Sequence, residues 1–157
     1  MRVYIESRIP SYLTARPARD MIQGAHQAIT YDWWEKSRPH HELYVSQLVH
    51  DEVSRGDAEA AARRLDAIAG IPLLEFTPTV LDFAESIIGS GLLPEKADGD
   101  AMHIAIAAGH GLDVLLTWNC RHIANATIQA RLRRLAFEQG FTLPQISTPE
   151  GLMEIFK

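Results

Sequence analysis

The sequence predicts an α/β fold, a three-layer α/β/α sandwich around a central parallel sheet, on three observations. Short runs of β-branched and aromatic residues alternate with longer segments of helical period along the whole chain. Those runs are apolar almost throughout instead of at every second residue, the pattern of strands covered on both faces. Each pair of runs is separated by a segment long enough for a helical crossover, which parallel strands require.

Taken in order, "RVYIE" (2–6) reads as the first strand. A helix follows from near Pro17, with Ile22, Ala25, Ile29 and Trp33 spaced by three and four to form a core-facing stripe. "LYVSQ" (43–47) is the second strand, and a second helix follows Ser46. Asp57 is placed to cap a helix carrying Ala58, Ala61, Leu65 and Ile68 on one face, with Gly70 just past its end. "IPLLEF" (71–76) is the third strand, and Thr77 followed by Pro78 opens the next helix. Asp98 caps "GDAMHIAIAAGHG", "DVLLTW" (113–118) is the fourth strand, and "ATIQARLRRLAFEQG" is a helix closed by Gly140. "FTLPQI" (141–146) makes a fifth strand, with Pro144 suited to an edge. Thr148, Pro149 and Glu150 start a last helix that packs on its own domain through Leu152, Met153, Ile155 and Phe156.

Composition bounds the function. The chain has 157 residues, 46% hydrophobic and 22% charged, without internal repeat, low-complexity tract or linker, which predicts a single domain over 1–157. No apolar run reaches the ~20 residues of a membrane span, and no basic segment with an apolar core opens the chain, so the expectation is a cytoplasmic protein with no membrane partner. Cys120 is the sole cysteine, a free thiol in keeping with a reducing compartment. A net charge of −5 argues against a general nucleic-acid coat, though not against an enzyme whose acids gather at a metal. Only Lys36, Lys96 and Lys157 are lysines among 15 basic residues, so the cations are mostly arginine, the better bidentate phosphate ligand.

In open parallel sheets, ligands bind beyond the carboxyl ends of the strands, where strand order reverses. Glu6 ends the first strand, Asn119 follows "LLTW", Asp100 lies in the first turn of a helix and Glu52 about two turns into the helix after "LYVS". Three carboxylates and an amide gathered there suit a hard cation such as Mg²⁺ or Mn²⁺, which takes oxygen ligands in octahedral geometry and cancels the repulsion among the acids. The alternative is that these acids are solvated strand ends, with Asp100 favouring a helix dipole.

The stretches "VYIESRIPSYL", "VSQLVHDEV" followed by "GD", "DAMHIAIAAGHGLDVLLTWNCRHIAN" and "TPEGLM" together resemble the PIN-domain family, most closely its VapC-like toxin branch, in the family's order and over nearly the whole chain. The resemblance implies a PIN-like sandwich of Rossmann-like topology and Mg²⁺- or Mn²⁺-dependent hydrolysis of RNA. It implies as partners an RNA substrate, a small antitoxin protein and a second copy in a homodimer. Its acidic positions fall on Glu6, Glu52 and Asp100 as metal ligands, with Asn119 at the fourth, where it holds a metal-bound water. Ser7 and Thr117 support them. Two departures are a glutamate in place of the more frequent aspartate at position 6 and the neutral amide at 119. A third is Arg8 where a small hydroxyl residue is usual; it either pairs with Glu6 or holds a scissile phosphate.

Competing readings follow from single residues. Cys120, His122 and His103 invite a zinc site, but structural zinc takes four N/S ligands at recognisable spacing. Tyr31, Trp33 and Trp34 suggest base stacking, against core packing for Trp33. Arg131, Arg133 and Arg134 form either a phosphate patch or a solvated helix face. No Gly-x-Gly-x-x-Gly follows the first strand, which removes the dinucleotide binder. Arg8 and Asn119 leave one alternative to the ribonuclease: a PIN-like module that has lost cleavage and binds RNA or protein.

Overall fold

A computed structural model describes residues 1–153, and the expected contribution of Ile155 and Phe156 lies outside them. Five parallel strands form one sheet in the order β3-β2-β1-β4-β5: β1 (Arg2–Ile5), β2 (Glu42–Ser46), β3 (Leu73–Leu74), β4 (Val114–Leu116) and β5 (Gln145–Ser147). β1 is central, with Tyr4 opposite Tyr44 on one side and Leu115 on the other. The strand order therefore turns about β1, and its carboxyl end is the switch point.

Seven α-helices flank the sheet among the described residues: α1 (Arg8–Thr14), α2 (Met21–Lys36), α3 (Gln47–Val53), α4 (Ala58–Ile68), α5 (Pro78–Gly89), α6 (Asp98–Gly109) and α7 (Ala126–Glu138). α1 packs on α2 and α4, and α5 packs on α6 and α7. Asp57, Thr77 and Asn125 cap α4, α5 and α7 by accepting backbone N–H groups with their side chains. Gly70, at φ +80°, takes the left-handed turn after α4. α6 is buried on almost every face, and its alanines at 101, 105 and 108 let α5 approach. The α/β sandwich expected from the strand runs is the fold observed, and no helix among the described residues is long and apolar enough to cross a membrane.

Several local expectations are corrected. Helix α1 was not foreseen, because Pro10 and the β-branched Ile9 disguise "RIPSYLT"; Pro10 sits in the first turn, where its missing N–H costs nothing. On α2 only the Trp33 end of the anticipated stripe is buried: Ile22 is 68% exposed and Ala25 is exposed as well, because α1 covers only part of the helix. Trp34 is buried beneath the Arg38 guanidinium, 4.4 Å from its ring, so neither tryptophan of the pair is free to stack on a base. Asp98 is the first residue of α6 and makes no side-chain cap. The fifth strand starts after Pro144; Phe141 and Leu143 instead fill the core on the approach, Phe141 stacking on Phe83 at 4.6 Å. Among the described residues after Pro149 the chain makes a 3-10 turn, Glu150–Leu152, with Leu152 and Met153 partly buried against the core.

Candidate active site at the carboxyl edge of the sheet

Buried polar side chains concentrate at the carboxyl edge: Glu6, Ser7, Ser46, His103, Thr117 and Asn119 lie there. Glu6 follows β1 directly, and its backbone N–H continues the pairing with β4 by donating to the Leu116 carbonyl at 3.1 Å. Its carboxylate is only 4% exposed. Oε2 accepts from the Thr117 hydroxyl at 2.9 Å and from the Arg8 backbone N–H at 3.1 Å. Burial nevertheless wins, pushing the Glu6 carboxyl above the usual range against the potential of His103 and those two donors.

Glu52, in the last turn of α3, has a different environment. Oε1 accepts from the Ser7 hydroxyl at 2.7 Å and faces His103 Nε2 at 2.5 Å. Burial acts to raise this carboxyl, but the hydrogen bond and potential of His103, the Ser7 hydroxyl and the Arg55 charge together hold it below the usual range. His103, 1% exposed, continues inward: Nδ1 lies 2.7 Å from the Tyr4 hydroxyl, which is 2.8 Å from Ser46 Oγ. A carboxylate only accepts, so Nε2 carries a hydrogen toward Glu52. The network thus ties β2, β1, α6 and α3 into one chain of satisfied polar groups, and burial lifts the Tyr4 phenol far above its ordinary range.

Asp100, in the first turn of α6, bonds His122 Nδ1 through Oδ2 at 2.9 Å. Asn119 sits in the loop after β4. This loop is anchored by Trp118, whose Nε1 donates to Thr30 at 2.7 Å and whose ring stacks on His26 at 4.0 Å. Asn119 Oδ1 accepts the His122 backbone N–H at 3.0 Å, while its Nδ2 is buried without a partner among the described residues. The amide therefore presents a donor, not the free oxygen read from the sequence. Thr117, one residue past β4, accepts from the Asn119 backbone N–H and donates to Glu6, linking the two positions.

Glu52, Asp100 and His122 line a cleft of about 640 Å³ whose wall also contains Arg8, Arg55 and Lys96. Glu6 does not line it. Arg8 offers only its backbone N–H to Glu6; of the two roles open to its side chain, the ion pair with Glu6 is not formed, and the residue faces the cleft. The histidines absent from the expected acid cluster, His103 and His122, turn out to be the carboxylates' partners. They are separated from those partners by 51 and 22 residues, and no periodicity announces such contacts.

The donor chemistry suits a hard divalent cation. Ser7 and His103 occupy one oxygen of Glu52, and His122 one of Asp100, so each carboxylate retains a second oxygen. Asn119 Nδ2 is buried and unpartnered among the described residues, and the residue does not line the cleft. No group of three His, Cys, Asp or Glu side chains among the described residues has metal-holding spacing. That leaves Glu52 and Asp100, each with one oxygen unclaimed among the described residues, as cleft carboxylates that could hold a hard cation such as Mg²⁺, which commonly takes one or two carboxylates and otherwise water. Zinc does not fit, since Cys120 is exposed and His103 and His122 are engaged with carboxylates.

Fold and site together define a parallel α/β protein with an acid-bearing cleft at its switch point. Among solved structures, it is similar to a chain in the crystal structure of VapBC2 from Rickettsia felis bound to a DNA fragment from their promoter, with a TM-score of 0.59 over 94% of this chain and 98% of that one. Sequence identity is 13%, so the likeness is one of fold, in keeping with a VapC-like, PIN-like sandwich. No protein-family model matches the sequence, and no curated protein does.

Proposed function

We propose that this chain is a Mg²⁺- or Mn²⁺-dependent endoribonuclease, the toxin of a two-component pair, acting in the cytoplasm as a homodimer restrained by a small antitoxin protein. One observation carries the reading: Glu52 and Asp100, from different helices, face one cleft beside Arg8, each with one oxygen fixed by an imidazole and the other unclaimed among the described residues. The VapC-like fold supports it, as does the VapBC2 assembly in which the similar chain occurs.

A bound divalent cation supplies Lewis-acid stabilisation of the charge that builds on the phosphate. Glu52 and Asp100 would hold it, with the buried Glu6 nearby at the end of β1. His103 and Ser7, by occupying Oε1, leave Oε2 of Glu52 as the ligand atom. A carboxylate held below its usual range is a poor proton acceptor, so Glu52 is assigned to cation binding and not to general-base duty. His122 fixes the Asp100 carboxylate. Arg8, on the wall of the same cleft, holds the scissile phosphate.

Incubation of the purified protein with a mixed RNA pool in Mn²⁺ and in EDTA tests this, with Asp100→Ala as control. Cleavage confined to the Mn²⁺ reaction of the wild type is the expected result. Absence of cleavage in any metal favours the second reading, a PIN-like binding module for RNA or protein, which the amide at position 119 supports. Light scattering of the isolated chain, and co-purification with the product of an adjacent short reading frame, test the homodimer and the antitoxin.

A further inference from the structure

Each acid of the site has a cation close by in sequence: Arg8 lies two residues after Glu6, Arg55 three after Glu52, and Lys96 four before Asp100. None of these cations pairs with its acid. The ion pairs among the described residues are Asp32–Lys36, Glu52–His103, Asp100–His122 and Glu138–Arg134. The carboxylates are instead satisfied by hydroxyl, imidazole and backbone N–H donors, and the three cations line the cleft without a carboxylate at pairing distance.

Their backbone positions are fixed. The Arg64 guanidinium bonds the carbonyls of Val53 at 2.9 Å and Arg55 at 2.6 Å, holding the turn that carries Arg55. Lys96 sits in the 3-10 turn Glu95–Ala97, closed by the Ala97 N–H on the Pro94 carbonyl at 2.8 Å. The same cleft carries Glu52, Asp98 and Asp100, so its three cations are matched in number by acids yet form no ion pair with them among the described residues. They come from three separate elements, the start of α1, the turn after α3 and the turn before α6.

Resting on the ribonuclease reading, we propose that Arg55 and Lys96, with Arg8, form a clamp for the phosphodiester backbone of a single-stranded polynucleotide, engaging phosphates next to the one Arg8 holds. Backbone contacts supply affinity and register without reading bases.

Fluorescence anisotropy of a labelled single-stranded oligouridylate, titrated with the full chain in EDTA, tests the clamp apart from cleavage. Arg55→Gln and Lys96→Gln should each weaken binding roughly three- to tenfold at ~0.1 M salt and make the slope of log K against log [salt] shallower by about 0.7 to 1. Arg131→Gln and Arg133→Gln, on the exposed face of α7, should change neither. A DNA strand of the same length that shows the same dependence on Arg55 and Lys96 supports backbone recognition. The clamp is overturned if the two cleft variants, folded by thermal melt, bind with unchanged affinity and slope, if the α7 variants weaken binding equally, or if a duplex binds more tightly than the single strand. Loss of the ribonuclease reading has a different signature: no cleavage in Mn²⁺ while binding still depends on Arg55 and Lys96.

Discussion

His103 Nε2 lies 2.5 Å from Glu52 Oε1, so an imidazole sealed in the core holds a carboxylate at the edge of the cleft. The other ring nitrogen meets Tyr4, and Tyr4 meets Ser46. Deleting the ring leaves a cavity and strands both the Tyr4 hydroxyl and the Glu52 carboxylate. His103→Ala should therefore cost about 2–4 kcal/mol in urea denaturation. Tyr4→Phe keeps the volume and removes one hydroxyl, for about 1–2 kcal/mol. Equal losses for the two variants would show that the ring does not depend on its partners.

Glu6 buries a carboxylate with a raised proton affinity, and the sign of its effect on stability follows. Between the ordinary glutamate range and its folded value, the folded state keeps a proton that the unfolded chain has released. Stability therefore falls as pH rises through that window. Glu6→Gln can keep both donors, from Thr117 and from the Arg8 N–H, on its single oxygen and removes the buried charge. In metal-free protein at neutral pH it should stabilise by on the order of 1 kcal/mol, about 3 °C in Tm, and flatten the acid-side pH profile. A lower Tm for the glutamine variant would contradict this.

Asn119→Asp exchanges an unpartnered buried N–H donor for a carboxylate oxygen while the other oxygen still accepts from His122. Without metal the new charge should destabilise the protein by about 1–3 kcal/mol. Saturating Mn²⁺ should then raise Tm more in the variant than in the wild type, because the added acid tightens binding. Calorimetric titration of the wild type should give one tight Mn²⁺ site. Two equally tight sites, or an Asn119→Asp variant with unchanged Mn²⁺ affinity, would refute a single cation site at this edge that an acid at position 119 strengthens.

Gly109 permits the closest approach of α5 to α6: a Cβ there would come within 2.6 Å of Val80 Cγ2. Val80 is buried and stiff at χ1, so it cannot swing aside. Gly109→Ala should destabilise by about 1 kcal/mol net, a clash of ~1–3 kcal/mol partly offset by alanine's better helix propensity. Val80→Ala should relieve the clash, so that the double variant loses less than the sum of the two single losses.

The fold was legible where a strand must be buried on both faces. "RVYI", "LYVS" and "VLL" are apolar because helices cover them, and the third and fifth strands shrink to two and three residues without disturbing the order. Ile22 misled because a stripe's period shows that a helix is amphipathic but not which of its turns find cover. At the site, Glu6, Glu52 and Asp100 were legible from their places after strands and in helix turns. Their environments were not: Glu6 lies below the surface because Thr117 and the Arg8 N–H close over it. Nor does spacing show that His103 reaches Glu52, since the contact depends on α3 and α6 converging beside β1.

The central place of β1 also sets an order of events during synthesis. Tyr4 and Glu6 bond to His103, Leu116 and Thr117, which are made about a hundred residues after them. A nascent chain that stops before β4 has β1 paired on one side at most and Glu6 without the Thr117 donor. Such topology, with long sequence separation between contacts, also slows folding. The edge of the sheet is therefore complete only once β4 and the loop after it, with Thr117 and His122, have been made.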